Sequence, residues 1–240
     1  MDEALLTTER VAEQTQFFHS LAQADDLFGS FRRSVPERSL ANSKIVGALW
    51  FHLSEAIVDI LCIALARLKN PKIRHFVVQT AYEELGEDSP EKLHTKLLLN
   101  MLQRAGVTEQ DILKWSGHEG VNGQIEKLKK DLWASPSDAE ICGILLGMEI
   151  IAYQNVDNVL DYLSINEDVG AAVRATEWAK LHHQLEEGHI RRAVTVVVEH
   201  VPDLTSQRRC VAAFMRTIRF WRQFWTEIAS ATHGPSVSAN

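Results

Sequence analysis

The chain has 240 residues, of which 45% are hydrophobic and 24% charged, and its formal net charge is −7. This balance is typical of a globular protein with ample material for one core, and an acidic chain without a long basic run is not expected to bind nucleic acid. Three widely spaced cysteines exclude a disulfide framework, and the N-terminus shows no basic segment followed by an apolar one, so we expect a cytoplasmic protein.

Helical periodicity runs through the whole sequence, and strand-like alternation is scarce. Caps and breakers place the expected helices at about 7–26, 42–68, 72–85, 90–104, from 108, 124–133, 137–163, 169–200 and 206–231. The sequence therefore predicts an all-α, up-and-down bundle of about seven to nine helices. We expect a single domain over 1–232 and a flexible tail over 233–240. The most apolar run, 45–68, contains charged residues, so a buried helix is expected rather than a membrane span.

The clearest chemical pattern lies on the helix predicted over 169–200. There His182, Glu186 and His189 stand at i, i+4 and i+7, which places them within about 60° of one another on a helix. A shift of one residue would substitute His183 and Glu187, but only the first register puts three ligand types on one face with His189. Two imidazoles and a carboxylate suit iron or manganese better than a structural zinc. The alternative is a solvated helix face without a metal.

A second candidate is Glu149, a carboxylate in an otherwise apolar helical segment. Burying it is costly unless it is paired or bound to a metal. Gly143 and Gly147 lie one turn apart and are expected to permit close approach of another helix or of a ligand. Tyr153 follows Glu149 by one turn and is expected on the same face. A helix–helix contact with a structural hydrogen bond is the alternative.

Two further polar sets stand in apolar surroundings. Glu84 is expected at the end of one helix and His94 near the start of the next, so a tight reversal between them can bring both side chains to one cavity. His52, Glu55 and Asp59 occupy i, i+3 and i+7 of a very apolar helix. We expect these three to orient ligands or to bind a substrate head group, although direct ligation and a purely structural hydrogen-bond network both stay open.

The order and spacing of these residues resemble the haem-oxygenase-like non-haem di-iron proteins, in particular their CADD-like branch, which is similar in fold to TenA and PqqC. The resemblance implies a seven-helix up-and-down bundle that binds two iron ions, with manganese as the alternative to iron. The six residues that would bind the ions are Glu84, His94, Glu149, His182, Glu186 and His189. This chain departs from the family pattern at Glu186, where aspartate is common, and in its longer gap between the first two ligands.

The resemblance also implies an oxidoreductase that activates O2 to oxidise or cleave a small acid- or amine-type substrate. Tyr153 is then the candidate catalytic residue and Trp178, one turn before His182, a candidate pocket residue. Two alternatives remain: a helical CADD-like interaction protein, and a cofactor-metabolism protein of the TenA/PqqC type without catalytic iron. In the second alternative Cys142 is the weak candidate for the nucleophile of a thiaminase-like site, and haem degradation would have His19 as its haem ligand by position only. The expected partners are the substrate and O2, with neither nucleic acid nor membrane, and a homodimer is left open because some members dimerise.

Overall fold

The computed structural model describes residues 3–23, 27–35 and 37–233, and all regular structure within these ranges is helical. The predicted all-α class is therefore confirmed for the described residues. The α-helices are α1 Glu3–Gln23, α2 Leu27–Ser34, α3 Leu40–Arg67, α4 Pro71–Glu84, α5 His94–Arg104, α6 Glu109–Trp115, α7 Glu119–Ala134, α8 Asp138–Glu149, α9 Ala152–Leu163, α10 Glu167–Arg174, α11 Glu177–His200 and α12 Leu204–Thr232, with a 3-10 turn at Pro90–Lys92. Of the predicted tail, 234–240 lie outside the described residues.

The structure divides the chain more finely than the predicted seven to nine helices. The helix expected over 137–163 is interrupted after Glu149, and α9 begins only at Ala152, following Ile151 with φ −114° and ψ 8°. The helix expected over 169–200 is also two helices, because Thr176 leaves helical geometry and accepts a hydrogen bond from the amide of Ala179 to start α11. The first of these breaks alters which side chains reach the site described below.

Helices α8 and α12 pack with almost no space between their backbones. A Cβ atom at Gly143 would lie 2.1 Å from the carbonyl oxygen of Cys210, and one at Gly147 would lie 2.6 Å from Cβ of Thr217. The indole Nε1 of Trp221 donates to the carbonyl of Gly147 at 3.1 Å. The two glycines therefore allow close approach of another helix, which is one of the two roles expected from their spacing.

An aromatic cluster joins the long helices α3 and α12. The ring of Trp50 on α3 stacks on Trp221 and Trp225 of α12, with centroids 6.2 and 5.9 Å apart. Trp225 also donates its indole N–H to Oδ1 of Asn155 on α9 at 2.9 Å. The cluster fixes α3, α9 and α12 relative to one another, and these helices form one wall of the central cavity.

Two stretches of the described chain are long and apolar enough to cross a membrane by length and composition alone, Leu40–Arg67 and Asp138–Leu163. Both stretches place many buried side chains in the core of the bundle. Core helices pass the same test of length and hydropathy, so this composition is weak evidence for a membrane span.

Candidate metal centre

The turn between α4 and α5 brings Glu84 and His94 together. Gly86 has φ +80° and Glu87 has φ 54°, and a Cβ atom at Gly86 would lie 2.5 Å from the carbonyl oxygen of Ser89. This tight turn, which suits glycine, leaves Nδ1 of His94 3.1 Å from Oε2 of Glu84. The expected tight reversal is present in the structure. His182 of α11 completes this group, whose ligand atoms all lie within 4.8 Å of one another.

A second group of the same kind forms where α8 ends against α11. Glu149 is the last residue of α8, and its carboxylate meets Glu186 and His189, with all three ligand atoms within 4.8 Å of one another. Nδ1 of His189 lies 3.6 Å from Oε2 of Glu149. Both groups line one cavity. The structure thus brings together all six residues that the sequence singled out as candidate ligands.

The side chains of α11 divide between the two sides of the helix. Glu186 and His189 are buried, and His182 lines the cavity beside them. His183 and Glu187 are exposed, and Nε2 of His183 lies 3.7 Å from Oδ1 of Asp157. The helix therefore has the register chosen from the i, i+4, i+7 spacing.

His182 is held in a single orientation by its own helix. Its Nδ1 lies 2.9 Å from the carbonyl oxygen of Trp178, and the two rings pack with centroids 4.1 Å apart. A carbonyl can only accept, so Nδ1 carries the hydrogen and Nε2 keeps its lone pair. Burial lowers the pKa of His182 to about 4, so its imidazole is neutral at pH 7. A neutral ring with a free Nε2 is the form that binds a metal.

His189 is oriented by a residue to which the sequence analysis assigned no role. Oε2 of Glu83 accepts from Nε2 of His189 at 2.8 Å and from Nη2 of Arg192 at 2.7 Å. This leaves Nδ1 of His189 to face Glu149. A carboxylate behind a ligating imidazole is the usual support of such a ligand. The spacing of His189 and Arg192, at i and i+3, was the available signal that both face one partner.

The carboxylates and imidazoles perturb one another's protonation. Burial and then the charge of Glu149 raise the pKa of Glu186 to about 8. Burial acts to lower the pKa of His189, but the contacts with Glu149, Glu186 and Glu83 outweigh it and raise that pKa to about 9. Burial acts to raise the pKa of Glu84, but the contacts with the three histidines lower it. At pH 7 the second group therefore holds protons that a cation would replace.

The residues present fit a metal. Among the described residues, the buried Oε2 of Glu186 and Nδ1 of His94 have no hydrogen-bond partner, since the contact of His94 with Glu84 lacks hydrogen-bond alignment. Three carboxylates and three imidazoles form a mixed oxygen and nitrogen donor set that suits iron or manganese. Bundles hold metals with such residues from facing helices, and here the ligand-type residues come from α4, α5, α8 and α11.

The cavity beside the two groups has a volume of about 110 Å³ and mostly apolar walls. Trp178, a candidate pocket residue from the sequence, lines it. Aliphatic and aromatic side chains from α3, α8, α9 and α12 complete the wall: Trp50, Leu53, Ile57, Ile60, Leu61, Leu145, Met148, Val156 and Trp221. Such walls exclude water from the carboxylate–histidine groups and leave room for a small molecule.

The structure does not bring Tyr153 to this cavity. Its side chain is 43% exposed and packs against the ring of His183, with centroids 5.1 Å apart. The expectation that Tyr153 follows Glu149 on one face was wrong, because the break after Glu149 interrupts the helical phase between them. Among the described residues, Tyr153 therefore has no contact with the candidate ligands that would support a catalytic role.

His52, Glu55 and Asp59 also lie away from the cavity, on the opposite face of α3. Nε2 of His52 lies 3.1 Å from the carbonyl oxygen of Ile112, Glu55 is exposed, and Asp59 pairs with Lys129 at 3.0 Å. The expectation that these residues orient the ligands or bind a substrate head group is therefore not met, because none of them lines the cavity. His52 thus contacts α6 and Asp59 contacts α7, whereas Glu55 pairs with His52 on the same helix.

The residues considered for a cofactor-type or haem site are also outside the cavity. Cys142 is buried and does not line the cavity, and burial raises the pKa of its thiol far above neutrality. His19 lies on α1 and lines a separate groove together with Tyr153 and Arg191. Neither residue is placed to act on a molecule beside the six candidate ligands.

An all-α bundle with two carboxylate–histidine groups around one cavity is the arrangement by which helical bundles bind metals. A family model described as iron-containing redox enzyme matches residues 48–222. The chain therefore belongs to this family of iron-containing redox enzymes. No curated protein matches the sequence.

Solved structures show the same haem-oxygenase-like fold. A CADD-like protein of unknown function from Nostoc punctiforme superimposes with a TM-score of 0.79 at 13% identity, over 92% of this chain and 98% of that one. A domain of unknown function with a haem-oxygenase-like fold from Shewanella denitrificans gives 0.70 at 14%, over 98% and 97%. A TenA homologue from Pseudomonas syringae gives 0.62 at 14%, over 92% and 93%. At these identities the likeness concerns the fold.

Proposed function

We propose that this protein is a non-haem di-iron oxidoreductase that uses O2 to oxidise or cleave a small organic acid or amine. The observation that carries the proposal is the pair of three-residue groups on one cavity, each with its ligand atoms within 4.8 Å of one another. Two separate groups of this kind match two cations better than one, and membership of an iron-containing redox family favours iron.

In this proposal Glu84, His94 and His182 hold one ion, and Glu149, Glu186 and His189 hold the other. Bound iron supplies the redox chemistry that activates O2, which no amino-acid side chain provides. The three carboxylates offset three of the four positive charges of two divalent ions. The remaining positive charge favours an anionic group of the substrate beside the ions, which supports an acid-type substrate.

The chain's other residues position the ligands and the substrate. Trp178 holds the ring of His182 through its carbonyl and its indole, and Glu83 holds the ring of His189. The apolar wall around the cavity keeps water away from the ligands and binds the hydrocarbon part of the substrate. The proposal includes the substrate and O2 as partners and a cytoplasmic location. Whether two chains associate into a homodimer can be measured by sedimentation velocity.

The proposal is tested by anaerobic loading with Fe(II) and measurement of bound iron per chain. We expect two irons in the wild type and a loss of at least one in each of His182→Ala and Glu149→Ala. His183→Ala, which removes an exposed imidazole next to His182, should keep both irons and is the matched control. Iron at background level in the folded wild type, or equal loss in the control, would contradict the proposal.

A further inference from the structure

Two buried hydrogen-bond donors in the cavity wall have no acceptor among the described residues. They are the indole Nε1 of Trp50 and the amide Nδ2 of Asn155. Trp50 is 7% exposed and Asn155 is fully buried, and both residues line the cavity, so an oxygen in the cavity reaches the two donors once the side chains that cover them shift. Buried polar groups normally have a partner, so each exception needs a physical account.

The orientation of the Asn155 amide follows from its neighbour. The indole of Trp225 is a donor only, and it lies 2.9 Å from the Asn155 oxygen, so that atom must be the carbonyl Oδ1. The group left without a partner is therefore the NH2, and a flip of the amide would place two donors against each other. Because Trp50 stacks on the same Trp225, at 5.9 Å between centroids, both free donors belong to one aromatic cluster.

The charge of the cavity limits what these donors can bind. Among the described residues that line it, the acidic side chains are Glu84, Glu149 and Glu186, and none is Lys or Arg. A carboxylate against Trp50 and Asn155 would add a further buried negative charge with no cation beside it at that wall, which is unfavourable. An uncharged acceptor oxygen satisfies both donors without that cost.

We propose that Trp50 and Asn155 bind an uncharged carbonyl-type oxygen, as in a ketone or an amide, on an otherwise apolar substrate. This inference rests on the proposed function, since it names the substrate class of the same site. The acid or amine group of the substrate faces the candidate ligands, and the neutral oxygen faces the two donors. The cavity, at about 110 Å³, is smaller than the cavity of about 150 Å³ that holds benzene, so the substrate part within it is compact.

The test uses metal-free protein and two probes of matched shape that are smaller than benzene, cyclobutanone and methylenecyclobutane, of which only the first carries an acceptor oxygen. Binding is followed by the nitrogen–proton NMR signals of the Trp50 indole and of the Asn155 side-chain NH2 in the wild type. We expect cyclobutanone to move both signals downfield, as hydrogen bonding does, and methylenecyclobutane to leave them without such a shift. Trp50→Phe assigns the indole signal and removes one donor.

In Trp50→Phe we expect the affinity for cyclobutanone to fall about fivefold, as for one hydrogen bond of about the average net strength. The affinity for methylenecyclobutane should stay within about twofold, since the ring contact is kept and no hydrogen bond is lost. Failure of cyclobutanone to bind, binding without a downfield shift in the wild type, or equal loss for both probes would overturn the inference.

The result is separable from the test of iron binding. A protein that binds cyclobutanone through Trp50 and Asn155 but takes up no iron would contradict the proposed function and leave this recognition intact. A protein that takes up two irons but does not distinguish the probes would contradict the recognition alone.

Discussion

Replacing Glu83 by glutamine removes a charge from the carboxylate that holds His189. Oε2 of Glu83 accepts from Nε2 of His189 at 2.8 Å and from Nη2 of Arg192 at 2.7 Å. Glutamine keeps the shape but offers a neutral oxygen, and its NH2 cannot accept from either donor. The imidazole of His189 then loses its orientation and part of its basicity. Loss of such a support costs about 10- to 100-fold in metal affinity, or about 1.4 to 2.7 kcal/mol.

The measurement is an anaerobic Fe(II) titration against a chromophoric chelator, which reports both ions separately if their affinities differ. We expect Glu83→Gln to weaken the ion at Glu149, Glu186 and His189 by this factor and to leave the other ion nearly unchanged. Glu187→Gln is the matched control, because it removes an exposed carboxylate from the helix that carries His189. Its affinities should stay within about twofold of the wild type, as expected for a solvated charge.

One result would refute the reasoning. If His189→Ala loses an ion but Glu83→Gln binds both ions as tightly as the wild type, then the contact between Glu83 and His189 does not support the ligand. A uniform loss of both ions in Glu83→Gln and in Glu187→Gln would instead indicate a general effect of net charge.

Four further predictions follow from the structure. The raised pKa values of Glu186 (about 8) and His189 (about 9) keep both groups protonated at pH 7, so binding of the metal should release about two protons. Calorimetry in buffers of different ionisation enthalpy should detect these protons, and the affinity for Fe(II) should rise from pH 7 to 9. An affinity that does not change over this pH range would contradict the prediction. Fe(II) at about 100 times its Kd should stabilise the fold by about 2.7 kcal/mol for each occupied site, visible as a higher Tm. Gly143→Ala should destabilise the fold by about 1 to 3 kcal/mol or more in urea unfolding, because its Cβ would meet the Cys210 carbonyl oxygen at 2.1 Å, whereas Gly123→Ala, which meets nothing, should stabilise it by up to about 1 kcal/mol. Tyr153→Phe should leave iron content unchanged, and a loss of iron would restore this residue to the site.

The helical class and the register of α11 could be predicted because both depend on short-range order, whereas the full set of six candidate ligands was implied by the family resemblance. Helical period, caps and i, i+4, i+7 spacing act within one segment, so the inner face of α11 was correctly separated from His183 and Glu187. The turn at Gly86 was also local, and it brings Glu84 to His94 as expected.

Other features depend on contacts between segments that are distant in sequence. The stretch 143–152 is apolar on both sides of Glu149, so no pattern marks the break after Glu149 that turns Tyr153 outward. Helix α3 is similarly apolar, and its inner face is chosen by packing against α12. His52, Glu55 and Asp59 were therefore expected near the ligands, whereas they lie on the face of α3 that points away from the cavity. The contact of Glu83 with α11 depends on how two helices cross, which spacing does not reveal.

Helix α11 supplies residues to both carboxylate–histidine groups, and this has an energetic consequence. His182 and His189 are separated by about 10 Å along one axis, at 1.5 Å per residue, and they belong to different groups. Any event that fixes the rotation of this helix for one group fixes it for the other as well. Occupation of the first group therefore removes conformational entropy that the second no longer has to lose, so the two binding events are linked with positive cooperativity, opposed by the mutual repulsion of the cations.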